Sequence, residues 1–323
     1  MIDKILWDDF SNGFTVGAPG SPENKWFLFN FGGHNANDGI AYKTESGIRV
    51  VPLGKNSKTG EPAFTVTLGQ DKDNGGIAGL LDHIKWLAYM NHMASTGISG
   101  FDVAPSKTIS FETVMGGRSF GIQNHPFGNA VQDANSDLRL GSSVMVCVDF
   151  ETMMVFDMYL TNNMIYAFYE RCPYVRHNLG NYASFSYQIP VASRKTEDIH
   201  RLKISYNKES NTARWYVDGI EVFHVKDCGK RIDRKYMTLD HGGKEEVVSL
   251  RQITGGMGFF TLLDAVQPTG TGLVKLSNLP VDFLPAKGEP IETTFFDNDS
   301  KESSRLFGQG AELICNEYAV TYE

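Results

Sequence analysis

Apolar and polar residues alternate through much of the 323-residue chain, the two-residue period of strands whose faces meet unlike surroundings. Within residues 198–206, Leu202, Ile204 and Tyr206 alternate with Arg201, Lys203 and Ser205. A short polar turn leads to residues 214–223, RWYVDGIEVF, in which two strand-forming runs flank Asp218-Gly219. That pair suits a two-residue hairpin turn, because both central positions need positive φ. The register it predicts joins Val217 to Ile220 and Trp215 to Val222 on one face, with Arg214, Tyr216, Glu221 and Phe223 on the other. Residues 155–170 fold about Asn162-Asn163 in the same manner, setting Thr161 against Met164, Tyr159 against Tyr166 and Asp157 against Phe168. Other strands are predicted over 26–31, 47–51, 63–68, 108–115, 119–123, 143–150, 182–189, 256–262, 272–276 and 312–322. Residues 80–94, LLDHIKWLAYMNHMA, set Leu80, Ile84, Leu87 and Met90 or Ala88 at helical spacing and predict one helix. No linker rich in proline or serine divides the chain. The expectation is one elaborated, mainly β sandwich over residues 1–323.

Composition narrows the partners. Glycine at 33 residues and aromatics at 12% fit many strands joined by turns. A net charge of −8, with no basic stripe, argues against nucleic acid. No run approaches the ~20 apolar residues of a membrane span. The first residues, MIDKILWDDFSNGF, lack an apolar core followed by a small-residue cleavage site, so a cytoplasmic location is expected. Cys147, Cys172, Cys228 and Cys315 are widely spaced without a C-x-x-C, and read as four reduced thiols. Neither they nor His34, His83 and His92 have metal-ligand spacing. Gly32-Gly33 and Gly255-Gly256 lack the continuation of a phosphate loop.

The 198–206 strand followed by the W-x-V-D-G hairpin resembles the concanavalin A-like lectin/glucanase superfamily, best over about residues 105–265. The resemblance implies a jelly roll of two antiparallel sheets, with carbohydrate as the usual ligand. Retaining glucanases of that superfamily carry E-x-D-x-E or E-x-D-x-x-E on one strand, with the two working glutamates about 5 Å apart. The closest match is Cys147-Val-Asp149-Phe-Glu151. Cysteine stands at its nucleophile position, which argues against glucanase chemistry there. Many such sandwiches hold a structural calcium, and Asp8-Asp9, residues 71–75 (DKDNG) and Asp297-Asn-Asp299 offer oxygen ligands. None matches a full EF-hand loop, so each reads as a solvated turn and no cofactor is expected.

Chemistry concentrates on one predicted face. Phe156, Met158, Leu160, Ile165, Ala167 and Tyr169 have core composition. Opposite them stand Asp157, Tyr159, Thr161, Met164, Tyr166, Phe168 and Glu170. Rings mixed with carboxylates suit a ligand face, while a covered hydrophobic layer is the plainer alternative. In 143–150 the alternation assigns Val144, Val146, Val148 and Phe150 inward, and Met145, Cys147 and Asp149 to the ligand side. His125, held extended by Pro126 at a strand end, is a candidate acid/base or a loop histidine bonded to backbone. Glu112 and Gln123 are candidate contacts, with a cross-strand salt bridge as the duller role for Glu112. The resulting expectation is a cofactor-independent enzyme of cyclase, isomerase or lyase type acting on a hydrophobic small molecule, natural products included. Asp157, Glu170 and His125 would move protons. Tyr159, Tyr166, Phe168, Met164, Glu112, Gln123, Met145 and Asp149 would hold the substrate. A carbohydrate-binding or carbohydrate-active protein is the alternative, and a protein whose apolar face binds another chain is a third.

Overall fold

The computed structural model describes residues 3–70, 79–267, 270–277 and 293–323. Their strands form two large antiparallel sheets packed face to face. The first sheet runs Ile220–Lys226, Thr212–Val217, His200–Asn207, Thr108–Phe120, Gly310–Tyr322, Ile48–Val51, Ile40–Lys43, with Asp3–Asp8 also on Gly310–Tyr322. The second runs Met237–Asp240, Phe185–Ser193, Met164–Arg171, Met154–Leu160, Ser142–Asp149, Gln252–Phe260, Ile84–Met90, Trp26–Leu28. Neighbours in sequence are often not neighbours in the sheets, the crossing pattern of a jelly roll. The first hundred residues thus feed strands into both sheets. Among the described residues no helix is long and apolar enough to cross a membrane.

The predicted helix over 80–94 is corrected. Gly79–Leu81 is a single 3-10 turn and Ile84–Met90 is a strand, every residue of it buried. Trp86, Ala88 and Met90 enter the core between the sheets, while Leu87 and Tyr89 face the other side. A strand apolar on both faces loses its two-residue signature, and chance spacing then imitates a helix.

Local turn chemistry set the hairpins. Asp218 and Gly219 take φ of 51° and 84°, and Val217 pairs with Ile220 as expected. A bulge then shifts the register, so Trp215 meets Phe223 rather than Val222. The bulge turns Phe223 toward the Trp215 indole, their centroids 5.4 Å apart. The 155–170 hairpin keeps its predicted register, with Tyr159 on Tyr166 and Asp157 beside Phe168. In Ser142–Asp149 the predicted faces are reversed. Met145 and Cys147 pair with Met158 and Phe156 and belong to the core between the sheets. Val144, Val146 and Val148 stand on the same side as Asp157. All eight residues of that strand are buried, so the alternation carried no inside-outside information.

Trp215 shows how the sheets lock. It is fully buried, meets Phe156 edge-on at 5.7 Å, and donates its Nε1–H to the Asp157 carbonyl at 2.9 Å. A core residue of the first sheet thereby holds the backbone of the residue that carries the candidate chemistry on the second.

Candidate functional site

The outer face of the second sheet carries its own apolar layer, separate from the core between the sheets. Within it lies a cavity with about 650 Å³ of empty space, open solvent at its mouth included, of which about 80 Å³ admits the centre of a water molecule. Known small-molecule sites span roughly 300–1,000 Å³, and this one is narrow. Five adjacent strands form its floor, from Met164–Arg171 across to Ile84–Met90. Its rings are four phenylalanines (Phe29, Phe31, Phe150, Phe260) and three tyrosines (Tyr89, Tyr159, Tyr174). Phe29 and Phe31 reach in from an N-terminal segment and Tyr174 from beyond the strand end, so the walls are far apart in sequence.

Two glycines make room for those rings. Gly256 pairs with Val146 and Tyr89, and Gly258 with Val144 and Leu87, which places both on the cavity side. A Cβ on Gly256 would stand 2.8 Å from Tyr89 Cδ1, and one on Gly258 2.9 Å from Phe260 Cε1. The glycines let the aromatic rings settle over the strand.

Polar groups gather on the floor. Asp157 is only 3% exposed. The Cys147 backbone N–H donates to its Oδ1 at 3.3 Å, and Oδ2 meets no donor among the described residues. Burial, and then the charge of Glu170, push the Asp157 carboxyl well above the usual range. Glu170 sits diagonally across the strand pair, since Val155 is its partner. Burial raises it too, opposed by hydrogen bonds from Ser186 Oγ at 2.5 Å and from Cys172 and by the charge of His241. Glu170 has hydrogen bonds from Ser186 and Cys172 that Asp157 lacks, so it is the better placed of the two to carry charge, and its charge favours the protonated form of Asp157. The Cys172 thiol is raised by burial and then by Glu170. Tyr89, Tyr159 and Tyr174 are each raised by burial and by nearby acidic groups that include Cys172 and Glu170. All three line the cavity. Tyr166, Tyr169 and Tyr182 each donate to a backbone carbonyl. The hydroxyls of Tyr89, Tyr159 and Tyr174 have no partner among the described residues. His83 is driven down to about 4 by burial and is neutral, its Nδ1 against Leu80 O at 2.5 Å.

The structure brings together only part of the predicted site. Asp157, Glu170 and Tyr159 line the cavity. Phe168 lies beneath, 4.9 Å from the Tyr159 ring. Tyr166 lines a different, polar cavity beside Asp137 and Arg139, bonded to Ser136 O, and half-buried Met164 closes the hairpin against Thr161. Met145 is in the core between the sheets. Asp149, expected as a ligand contact, caps the following turn by accepting from Glu151 N, Thr152 N and Oγ1, and Gln252 Nε2. Glu112 belongs to the first sheet, paired with Arg201 at 2.7 Å. Gln123 is exposed. His125 is stacked on Phe127, which belongs to a separate apolar cluster, and does not line the cavity. Chain alternation placed these residues on a face but could not say on which sheet, or at which end of it.

The glucanase-like triplet presents no pair of free carboxyl groups. Cys147 points into the core, Asp149 caps a turn, and Glu151 pairs with Arg251 at 2.5 Å. The calcium candidates Asp8 and Asp297 accept from nearby backbone N–H groups, and residues 71–75 lie outside the described residues. Among the described residues no three His, Cys, Asp or Glu side chains gather where they could hold a metal ion. Tyr89, Phe150, Cys172, Tyr174 and the two glycines were not read as site residues. The one available signal was glycine at alternate positions 256 and 258 of an otherwise apolar strand.

Comparison with known proteins follows the same outline. The model described as "Family of unknown function (DUF6081)" matches residues 7–323. An uncharacterized protein of Acanthamoeba polyphaga mimivirus is 28% identical over 301 residues, 75% of this chain. The chain spans 63% of the length of that curated relative. Among solved structures, an endo-1,3-beta-glucanase from Streptomyces sioyaensis aligns over 99% of this chain and 96% of its own, at 9% identity and a TM-score of 0.46. A family 7 alginate lyase aligns over 93% of both chains at 9% identity and a TM-score of 0.40. Likeness at that level carries no inference about activity.

Proposed function

The chain belongs to the DUF6081 family, whose description carries no activity, and we propose its function from the cavity itself. It binds a small, ring-bearing, largely apolar molecule on the outer face of the second sheet, and Asp157 with Glu170 moves protons on it. The observation that carries this reading is the group formed by the hydroxyls of buried Tyr89 and Tyr159, the hydroxyl of half-buried Tyr174 and Asp157 Oδ2, which line a ring-walled space and have no hydrogen-bond partner among the described residues. Polar groups that border an apolar cavity and are not bonded by the protein are left to whatever enters it, and a ligand with matching acceptors and donors would satisfy them.

A protonated Asp157 beside an ionised Glu170 is an acid and a base on one floor. Asp157 can deliver a proton to one atom of the ligand while Glu170 removes one from another. That exchange leaves the ligand's proton count unchanged, as an isomerisation or cyclisation requires. Neither step needs a cofactor. A second reading, glycan binding, is favoured by the open groove next to the cavity. It shares Phe29 and adds the amides of Asn30, Asn35 and Asn37, the mixture of ring and amide that suits sugar hydroxyls.

Thermal-shift screening of apolar ring compounds against a panel of oligosaccharides separates the two. Stabilisation by ring compounds that is lost when Gly256→Val fills the cavity supports the first reading. Stabilisation by glycans alone, indifferent to that substitution, would refute it.

A further inference from the structure

We infer that the cavity selects cationic ligands, taking a hydrophobic ring-bearing ammonium compound in preference to its neutral counterpart and rejecting anions. This rests on the reading above that the cavity is a ligand site, and adds the charge class of what enters it.

The argument is the sign of everything that lines the space. Two carboxyl groups, a thiol and three phenols face it, and among the described residues no lysine or arginine does. The single imidazole, His83, is neutral and its Nδ1 is engaged with Leu80 O. The groups around the carboxyl pair are Cys147 N from the neighbouring strand, Tyr89 from the strand three places along the sheet, Ser186 beside Glu170, and Cys172 and Tyr174 beyond the strand end. His241 acts on Glu170 through space. Every ionisation open to the lining near neutral pH is therefore towards negative charge.

The rings add a second attraction. Four phenylalanine and three tyrosine rings line the cavity, and a cation that settles over an aromatic face is attracted to it, most strongly when desolvated. Asp157 Oδ2, which meets no donor among the described residues, becomes an acceptor for an N–H of the ligand once the carboxyl gives up its proton. An anion would meet only acids and ring faces, with no cation to offset its desolvation. A bound ammonium also opposes what keeps Asp157 protonated, so its entry expels a proton from the carboxyl pair.

Benzylamine, benzyl alcohol and benzoate share one ring and differ in charge. Titration of each into the full chain at pH 7 is expected to give benzylamine at least about tenfold tighter than benzyl alcohol, a difference of ~1.4 kcal/mol, and no binding of benzoate. The benzylamine heat should change between buffers of different ionisation enthalpy, reporting the released proton. In Asp157→Asn with Glu170→Gln the preference should shrink to within about twofold. If benzyl alcohol binds as tightly as benzylamine, the charge inference falls while the ligand-site reading stands. If none of the three binds, both fall. The three-ligand comparison on the unsubstituted protein decides even should the double variant not fold.

Discussion

Replacing Asp157 by asparagine should stabilise this protein at neutral pH, although it removes a group at the centre of the candidate site. The carboxyl is 3% exposed, its one hydrogen bond is the 3.3 Å contact from Cys147 N, and no cation faces it. Its folded pKa is raised, first by burial and then by Glu170. Below the unfolded value of about 3.9, both states carry the proton and the group is neutral to stability. Above it the unfolded chain ionises while the folded one keeps its proton. Stability therefore falls as pH rises, by ~1.4 kcal/mol per pH unit for one proton, until the folded pKa is passed. The variant has no such proton. Its Oδ1 can still accept from Cys147 N, and its amide can donate to Glu170. Denaturant midpoints of both proteins, followed by tryptophan fluorescence from pH 4 to 8, should converge at the acid end and separate with that slope, the variant being the more stable at pH 7. Parallel curves, or a less stable variant at pH 7, would refute the assignment of Asp157 as a buried, protonated acid.

Three further outcomes follow from the same geometry. Trp215→Phe keeps most of the packing but leaves the Asp157 carbonyl without its 2.9 Å donor; a loss of about 1–3 kcal/mol is expected by chemical denaturation, and Trp215→Ala should cost about 3–5 kcal/mol. Gly256→Ala would put a Cβ 2.7 Å from Ala88 O and 2.8 Å from the Tyr89 ring, so a melting scan should show a loss of about 1–3 kcal/mol together with weaker ligand binding. Ser186→Ala removes the hydroxyl that donates to Glu170; the alkaline shift of that carboxyl, read as an upward move of the acid limb in a pH profile of binding, is the check.

How much of this was legible along the chain depended on what each segment touches. The hairpins at Asp218-Gly219 and Asn162-Asn163 were readable because turn chemistry acts over a few residues. Even so, the bulge at Trp215 escaped, since it answers to the packing of Phe223 and not to the turn. Asp157, Tyr159 and Glu170 could be put on one face because their strands are polar enough on one side to show alternation. Ile84–Met90 and Ser142–Asp149 are buried on both sides, and there pattern misled twice. His125 and Glu112 have residue types suited to chemistry, but the topology sets one against a separate apolar cluster and the other on the opposite sheet.

The sequence by itself determined that the chain would be strands, where two of its hairpins turn, and which side of residues 155–170 holds the acids. Each of those outcomes follows from backbone preferences and nearest neighbours. Only the tertiary structure decided that the acids lie under seven rings drawn from distant segments, with glycines opening the floor beneath them. Protonation, cavity and sign of charge all arise from that burial, because the free energy of a carboxyl depends on everything that surrounds it and not on the residues beside it in the chain.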